Sequence, residues 1–130
     1  MSKPVLIDTH ILLWYAKGDG RLDQKVRDLI QDPQTVPYVS KASLWEVTIK
    51  VALGKLDLGT SFDAFMDELP KQGFQLLDID VNDLQVLYTL PMHHGDPFDR
   101  LIIAQAIAHS WPVVSDDGKF SLYPITLIAG

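Results

Sequence analysis

The sequence predicts an α/β fold: a central parallel sheet of about five strands with helices on both faces. Short β-branched apolar runs alternate with longer segments of helical periodicity. The short runs are apolar throughout, as in strands buried on both faces. Clusters of Gly, Pro and Asp punctuate the joins.

Val5 to Ile7, bounded by Pro4 and Asp8, reads as the first strand. Thr9 to Ala16 reads as a helix stopped by Lys17-Gly18-Asp19-Gly20. Leu22, Val26, Leu29 and Ile30 fall at helical spacing, and Asp32-Pro33 ends that helix. Val36 to Val39 is the second strand, and Ser40 to Leu53 a longer helix ended by Gly54. Ser61 to Lys71 reads as helical up to Pro70, and Phe74 to Ile79 as the third strand. Asp80 suits the N-cap of a helix running to Leu90. After a loop over Pro91 to Asp96 comes a helix from Pro97 to His109. Val113 to Ser115 and Ile125 to Ile128 complete the strands. No repeat or linker interrupts the pattern, so residues 1–130 are expected to form one domain.

Composition narrows the function. The chain is 47% apolar and 22% charged, which excludes disordered, collagen-like and coiled-coil classes. It has no cysteine, which removes disulfide scaffolds, thiolate zinc sites and cysteine nucleophiles. A net charge of −6 argues weakly against nucleic-acid binding. Carboxylates gathered around divalent cations would reverse that argument locally. No apolar run approaches the ~18 residues of a membrane span, and the start of the chain lacks a signal-peptide core. A soluble, cytoplasmic protein without membrane contact is expected.

The acids are placed suggestively. Ligands of open α/β sheets bind at the carboxyl ends of the strands. Asp8 directly follows the first strand, and Ser115, Asp116 and Asp117 end or follow the fourth. Asp8 equally suits the N-cap of the next helix, and Asp117-Gly118 suits a turn. On the helix from Ser40 to Leu53, Ser43, Glu46 and Lys50 form a narrow polar stripe among apolar neighbours. Glu46 and Lys50 also match an ordinary i,i+4 surface pair. Asp96, Pro97 and Asp99 have the spacing of an N-cap, a first helical residue and a capping-box acid. The helix they open is apolar nearly all round, so its first-turn carboxylate is expected to be partly desolvated.

Asp8, Glu46, Asp99 and Asp117 thus stand on four separate segments, each beside a buried one. Two carboxylates about 5 Å apart repel by roughly 3 kcal/mol at an effective dielectric of about 20. Hard divalent ions, Mg²⁺ or Mn²⁺, would relieve that repulsion.

The runs DTHILLW at 8–14, SLWEVTIK at 43–50, LGKL at 53–56, HHGDPFDRLIIAQA at 93–106 and VVSDDGKF at 113–120 resemble the PIN domain. They are most similar to the VapC-type toxins of prokaryotic toxin–antitoxin pairs. The resemblance covers nearly the whole chain in order. It implies a three-layer α/β/α sandwich and a metal-dependent endoribonuclease that hydrolyses RNA with metal-activated water, leaving 5′-phosphate and 3′-hydroxyl ends. It places Asp8, Glu46, Asp99 and Asp117 as the catalytic, metal-holding acids for one or two Mg²⁺ or Mn²⁺ ions. Asp96 or Asp116 would bind through water. Thr9, Ser43 and Ser115 would orient the carboxylates. Lys50 and Arg100 would contact phosphate or pair with Glu46 and Asp99. It also implies a cognate antitoxin, an RNA substrate and a homodimer, with the antitoxin covering Leu22 to Met66.

A PIN-type RNA-processing nuclease outside a toxin pair and an inactive binding module of the same fold stay open. A receiver or haloacid-dehalogenase-type phosphatase fits less well, because Asp8-Thr9-His10 lacks a second aspartate two residues on. His93 and His94 lack a paired ligand spacing such as H-x-x-x-H and read as loop residues. Trp14 and Trp45 sit in apolar helical contexts and, with His10, read as packing residues.

Overall fold

A computed structural model describes residues 2–130. Five strands form one parallel sheet: β1 (Lys3–Ile7), β2 (Thr35–Ser40), β3 (Gln75–Leu77), β4 (Val113–Ser115) and β5 (Leu127–Ala129). Their spatial order is β3-β2-β1-β4-β5. The six helices are α1 (Thr9–Lys17), α2 (Gln24–Gln31), α3 (Lys41–Ala52), α4 (Phe62–Lys71), α5 (Val81–Thr89) and α6 (Pro97–His109). A 3-10 helix over Gly118–Leu122 follows β4, a feature the sequence periodicity did not predict. Among the described residues, no helix is long and apolar enough to cross a membrane.

The expected α/β/α layering is present, and the strand pleat explains it. Successive side chains point to opposite faces. Val5 and Ile7 of β1, Val39 and Val114 pack against α1, α2, α3 and α4 on one side. Leu6 and Val113 pack against Ile102, Ile103 and Ala106 of α6 on the other. Both faces of β1 are therefore dry. In α6 every residue from Leu101 to Ala106 is buried, as its all-round apolar sequence demands.

Boundaries moved where capping chemistry decides. Asp23 and Ser40 are N-caps, so α2 starts at Gln24 and α3 at Lys41. Gly18 ends α1 at φ 64, a left-handed turn that glycine enters without strain. β3 is shorter than expected, and Gln75 and Leu76 are exposed on it, because β3 lies at the sheet edge.

One buried polar network links α5, α6 and the end of β3. Asp83 is buried and closes a capping box with Asp80. Gln105, fully buried on α6, donates to Asp83 Oδ2 and to the Asp78 carbonyl, both at 3.1 Å. Gln105→Leu is expected to cost about 2–3 kcal/mol, because a buried carboxylate loses a donor. Urea denaturation would show this as a lower midpoint with an unchanged slope.

Candidate active site

The sheet order reverses direction between β1 and β4, which pair in parallel. Their carboxyl ends are the place where such a sheet binds ligands. Asp8 and Ser115 meet there. The Asp8 N–H donates to the Val114 carbonyl at 3.0 Å, carrying the β1–β4 ladder to the end of the strand. Ser115 Oγ donates to Asp8 Oδ2 and accepts the Asp117 N–H. One hydroxyl thus ties together the acids of two strands.

Asp8 is also the N-cap of α1, accepting the His10 N–H at 2.7 Å. The capping and site readings of this residue are both realised. It is only 1% exposed. Burial is the main cause that raises its pKa, and the nearby Asp116 charge adds to it.

α3 crosses above with its polar stripe inward. Its buried residues are Ala42, Ser43, Glu46 and Val47. Ser43 Oγ accepts a hydrogen bond from Thr9 Oγ1 at 2.9 Å, fastening α3 to α1. Glu46 is 4% exposed. Its Oε2 accepts from Lys50 Nζ at 2.7 Å, which raises the lysine pKa. Its Oε1 is buried and has no hydrogen-bond partner. A buried carboxylate oxygen without a protein partner is costly unless a cation or water completes it.

α6 supplies Asp99. Asp96 caps the helix, accepting the N–H groups of Phe98 and Asp99. In a full capping box the Asp99 carboxylate would reach back to the Asp96 N–H. That N–H goes instead to His94 Nδ1 at 3.1 Å, which frees the Asp99 carboxylate for the site. Since His94 Nδ1 accepts, Nε2 carries the proton. It lies 3.1 Å from Asp99 and 2.8 Å from Asp117. His94 is therefore a donor that braces two acids.

The expectation that His94 is an ordinary loop residue is corrected. It is buried, and a clamp holds it. Tyr123 Oη accepts the His94 N–H at 2.9 Å and donates to the Pro91 carbonyl at 2.8 Å. Arg100 belongs to the same clamp. Its guanidinium donates to the carbonyls of Leu90, Pro91 and His94 and to Tyr123 Oη. The Arg100 fork is spent on loop carbonyls, neither pairing with Asp99 nor facing the open cleft. His93 is exposed, with its ring edge-on to Tyr123 at 5.3 Å.

The electrostatics register the convergence. Burial pushes the Asp99 pKa up to about 8, and the charges of Asp8, Asp96, Glu46 and Asp117 all push the same way. Asp117 is lower than usual. Burial opposes this, but the Lys119 N–H, the His94 hydrogen bond and the Lys119 charge outweigh it. Two groups offer ligand atoms within 4.8 Å of one another: Asp8, His10 and Asp116, and His94, Asp99 and Asp117.

His10 and Trp45 overturn the packing expectation, whereas Trp14 is partly buried and packs against the core as expected. His10 is exposed. Trp14 lines the cleft beside the acids. Trp45 is 58% exposed, with its ring edge-on to Phe98 at 5.2 Å. The buried side of α3 is mixed, with Ser43 and Glu46 beside Ala42 and Val47, and Trp45 lies on the exposed side.

A parallel α/β sandwich with carboxylates from the end of β1, from α3, from α6 and from the end of β4 gathered at the sheet's switch point defines an α/β protein with an acidic site that can hold a metal ion. A PIN domain model matches residues 5–125, and the chain belongs to the PIN domain family. It is 26% identical over 116 residues to the ribonuclease VapC22 of Mycobacterium tuberculosis, covering 88% of each chain. Its fold is similar to that of VapBC2 from Rickettsia felis bound to a promoter DNA fragment, with TM-score 0.70 and 16% identity, over 97% of this chain and 98% of the other. It is likewise similar to VapBC-1 from nontypeable Haemophilus influenzae, with TM-score 0.71 and 17% identity, over 97% of both chains.

Proposed function

We propose that the chain is a metal-dependent endoribonuclease, the toxin of a type II toxin–antitoxin pair acting in the cytoplasm. One observation carries the chemistry. Asp99 sits among the charges of Asp8, Asp96, Glu46 and Asp117, and its pKa is driven to about 8. Such a cluster is held at a cost that a divalent cation removes. The bare Glu46 Oε1 and the predominance of carboxylates over the single histidine in each ligand group fit Mg²⁺ or Mn²⁺, as one or two ions.

Asp8, Asp99, Asp117 and Glu46 would hold the ion, with Asp96 or Asp116 reaching it through water. When bound, it supplies a lowered pKa for water at the site and charge neutralisation at the scissile phosphate. The protein's own groups do the positioning. Ser115 orients Asp8, and the His94 Nε2–H orients Asp99 and Asp117. Thr9 and Ser43 set α1 against α3. Lys50, half-exposed above Glu46, would meet a phosphate oxygen.

RNA as substrate and an antitoxin as partner draw support from the likeness to a ribonuclease VapC22 and to VapBC assemblies. The homodimer rests on the family resemblance alone.

The test is cleavage of a fluorogenic single-stranded RNA by purified, antitoxin-free protein in Mg²⁺, in Mn²⁺ and in EDTA. Cleavage with either ion and none in EDTA is expected. Cleavage that persists in EDTA would overturn the reading. Ser115→Ala is expected to keep the fold and weaken Mn²⁺ binding roughly 10- to 100-fold, read by calorimetry.

A further inference from the structure

The cleft beside the acids has a volume of ≈ 670 Å³. Its other wall has a different chemistry. Of the chain's 11 lysines and arginines, Lys17, Arg21, Lys50 and Lys55 line this one cavity. Among the described residues, neither Lys17 nor Lys55 has an acidic partner within 4.0 Å. A protein of net charge −6 thus places four cations, two of them unpaired, in the cavity beside its acidic site.

The aromatic groups are arranged in the same cavity. The His10 ring lies 6.5 Å from the Trp14 ring. His10 also offers an atom within 4.8 Å of Asp8 and Asp116, so the aromatic wall begins one side chain away from the acids. The Arg21 guanidinium sits 5.1 Å over the Trp14 ring. Asp19 fixes its plane, accepting from Arg21 Nε at 3.2 Å and from Nη2 at 2.7 Å. The arginine side chain is 69% exposed. Its outer face is flat, cationic and open to solvent. Bases of single-stranded RNA stack on aromatic rings and on guanidinium planes of this kind.

We propose that Trp14 and Arg21, with Asp19 gripping the guanidinium, form a stacking platform for one nucleobase of single-stranded RNA next to the cleavage site. Lys17 and Lys55 take the flanking phosphates. The proposal rests on the ribonuclease reading and adds a base subsite to it. Stacking supplies affinity with tolerance of base identity, because every base presents a π-face.

The test uses the full chain carrying Asp99→Asn, so that bound RNA stays intact, in Mg²⁺ at fixed salt. Short single-stranded RNAs carry 2-aminopurine at successive positions. Quenching at one position is expected, and it is lost in Trp14→Leu. Fluorescence anisotropy should show Trp14→Leu weakening RNA binding on the order of 10-fold, with Trp14→Phe restoring most of the loss. Arg21→Ala, at an exposed position that does not threaten the fold, should weaken binding several-fold.

Unchanged RNA affinity in both Trp14→Leu and Arg21→Ala, with no position quenched, would overturn the platform. The two readings fail separately. If the wild type binds and quenches but does not cleave with Mg²⁺ or Mn²⁺, the nuclease reading falls and the platform stands.

Discussion

Asp99→Asn is expected to inactivate the protein and stabilise its metal-free form at once. On the proposed nuclease reading Asp99 would hold the cation, so its loss removes several kcal/mol of charge stabilisation, roughly 10³-fold or more in kcat/KM. The gain in stability follows from the pKa of about 8 against an ordinary 3.8. Between those values the folded metal-free protein keeps a proton that the unfolded chain has released. Stability from this group is therefore present at low pH and falls as pH rises through that window. Asparagine carries no such penalty. Relieving one close carboxylate repulsion is worth roughly 3 kcal/mol, or about 10 °C in Tm for a chain of this size. Melting both proteins in EDTA at pH 8 measures it. A variant that melts lower than the wild type there, or that still cleaves RNA, contradicts the placement of Asp99 among the acids.

The second large effect is a proton expelled on metal binding. A cation binds the ionised carboxylate, and Asp99 holds its proton to about pH 8. Binding of Mn²⁺ at pH 7 should release close to one proton. Affinity should rise about tenfold per pH unit from pH 6 to 8 and level off above. Asp8, whose pKa is also raised, adds in the same direction. Calorimetry in two buffers of different ionisation heat counts the proton, and Asp99→Asn should release much less. At an ion concentration about 100-fold above Kd, the wild type should gain about 2.7 kcal/mol, near 10 °C in Tm. Affinity that is flat from pH 6 to 8 would show that Asp99 is already ionised.

The outline of the fold was legible because it depends on local signals. Apolar runs marked the strands, and Asp8, Asp80 and Asp96 are caps as their positions suggest. The adjacency of Asp8 and Ser115 followed from both closing strands of one parallel sheet.

His94 was not legible, because its role is built from a distance. Tyr123 and Arg100 hold the loop, and the Asp96 N–H sets the ring's tautomer. The spacing of a histidine two residues before an N-cap aspartate was the one local signal. Trp45 misled for a physical reason. On α3 the buried side is mixed: Ser43 and Glu46 are buried with Ala42 and Val47, while Trp45 and Leu53 face out. Composition cannot tell which side of a mixed helix is inward when the inward side is an acidic site. Trp14 and Arg21 meet because Gly18 turns the chain back across the end of α1, and that return is tertiary geometry.

The chemistry of the cut ends tests the central claim most directly. An acid-held cation and water, without the RNA 2′-hydroxyl as nucleophile, predict 5′-phosphate and 3′-hydroxyl ends, formed only when Mg²⁺ or Mn²⁺ is present. Fragments ending in 2′,3′-cyclic phosphate with 5′-hydroxyl partners would contradict it, because that chemistry needs no carboxylate cluster.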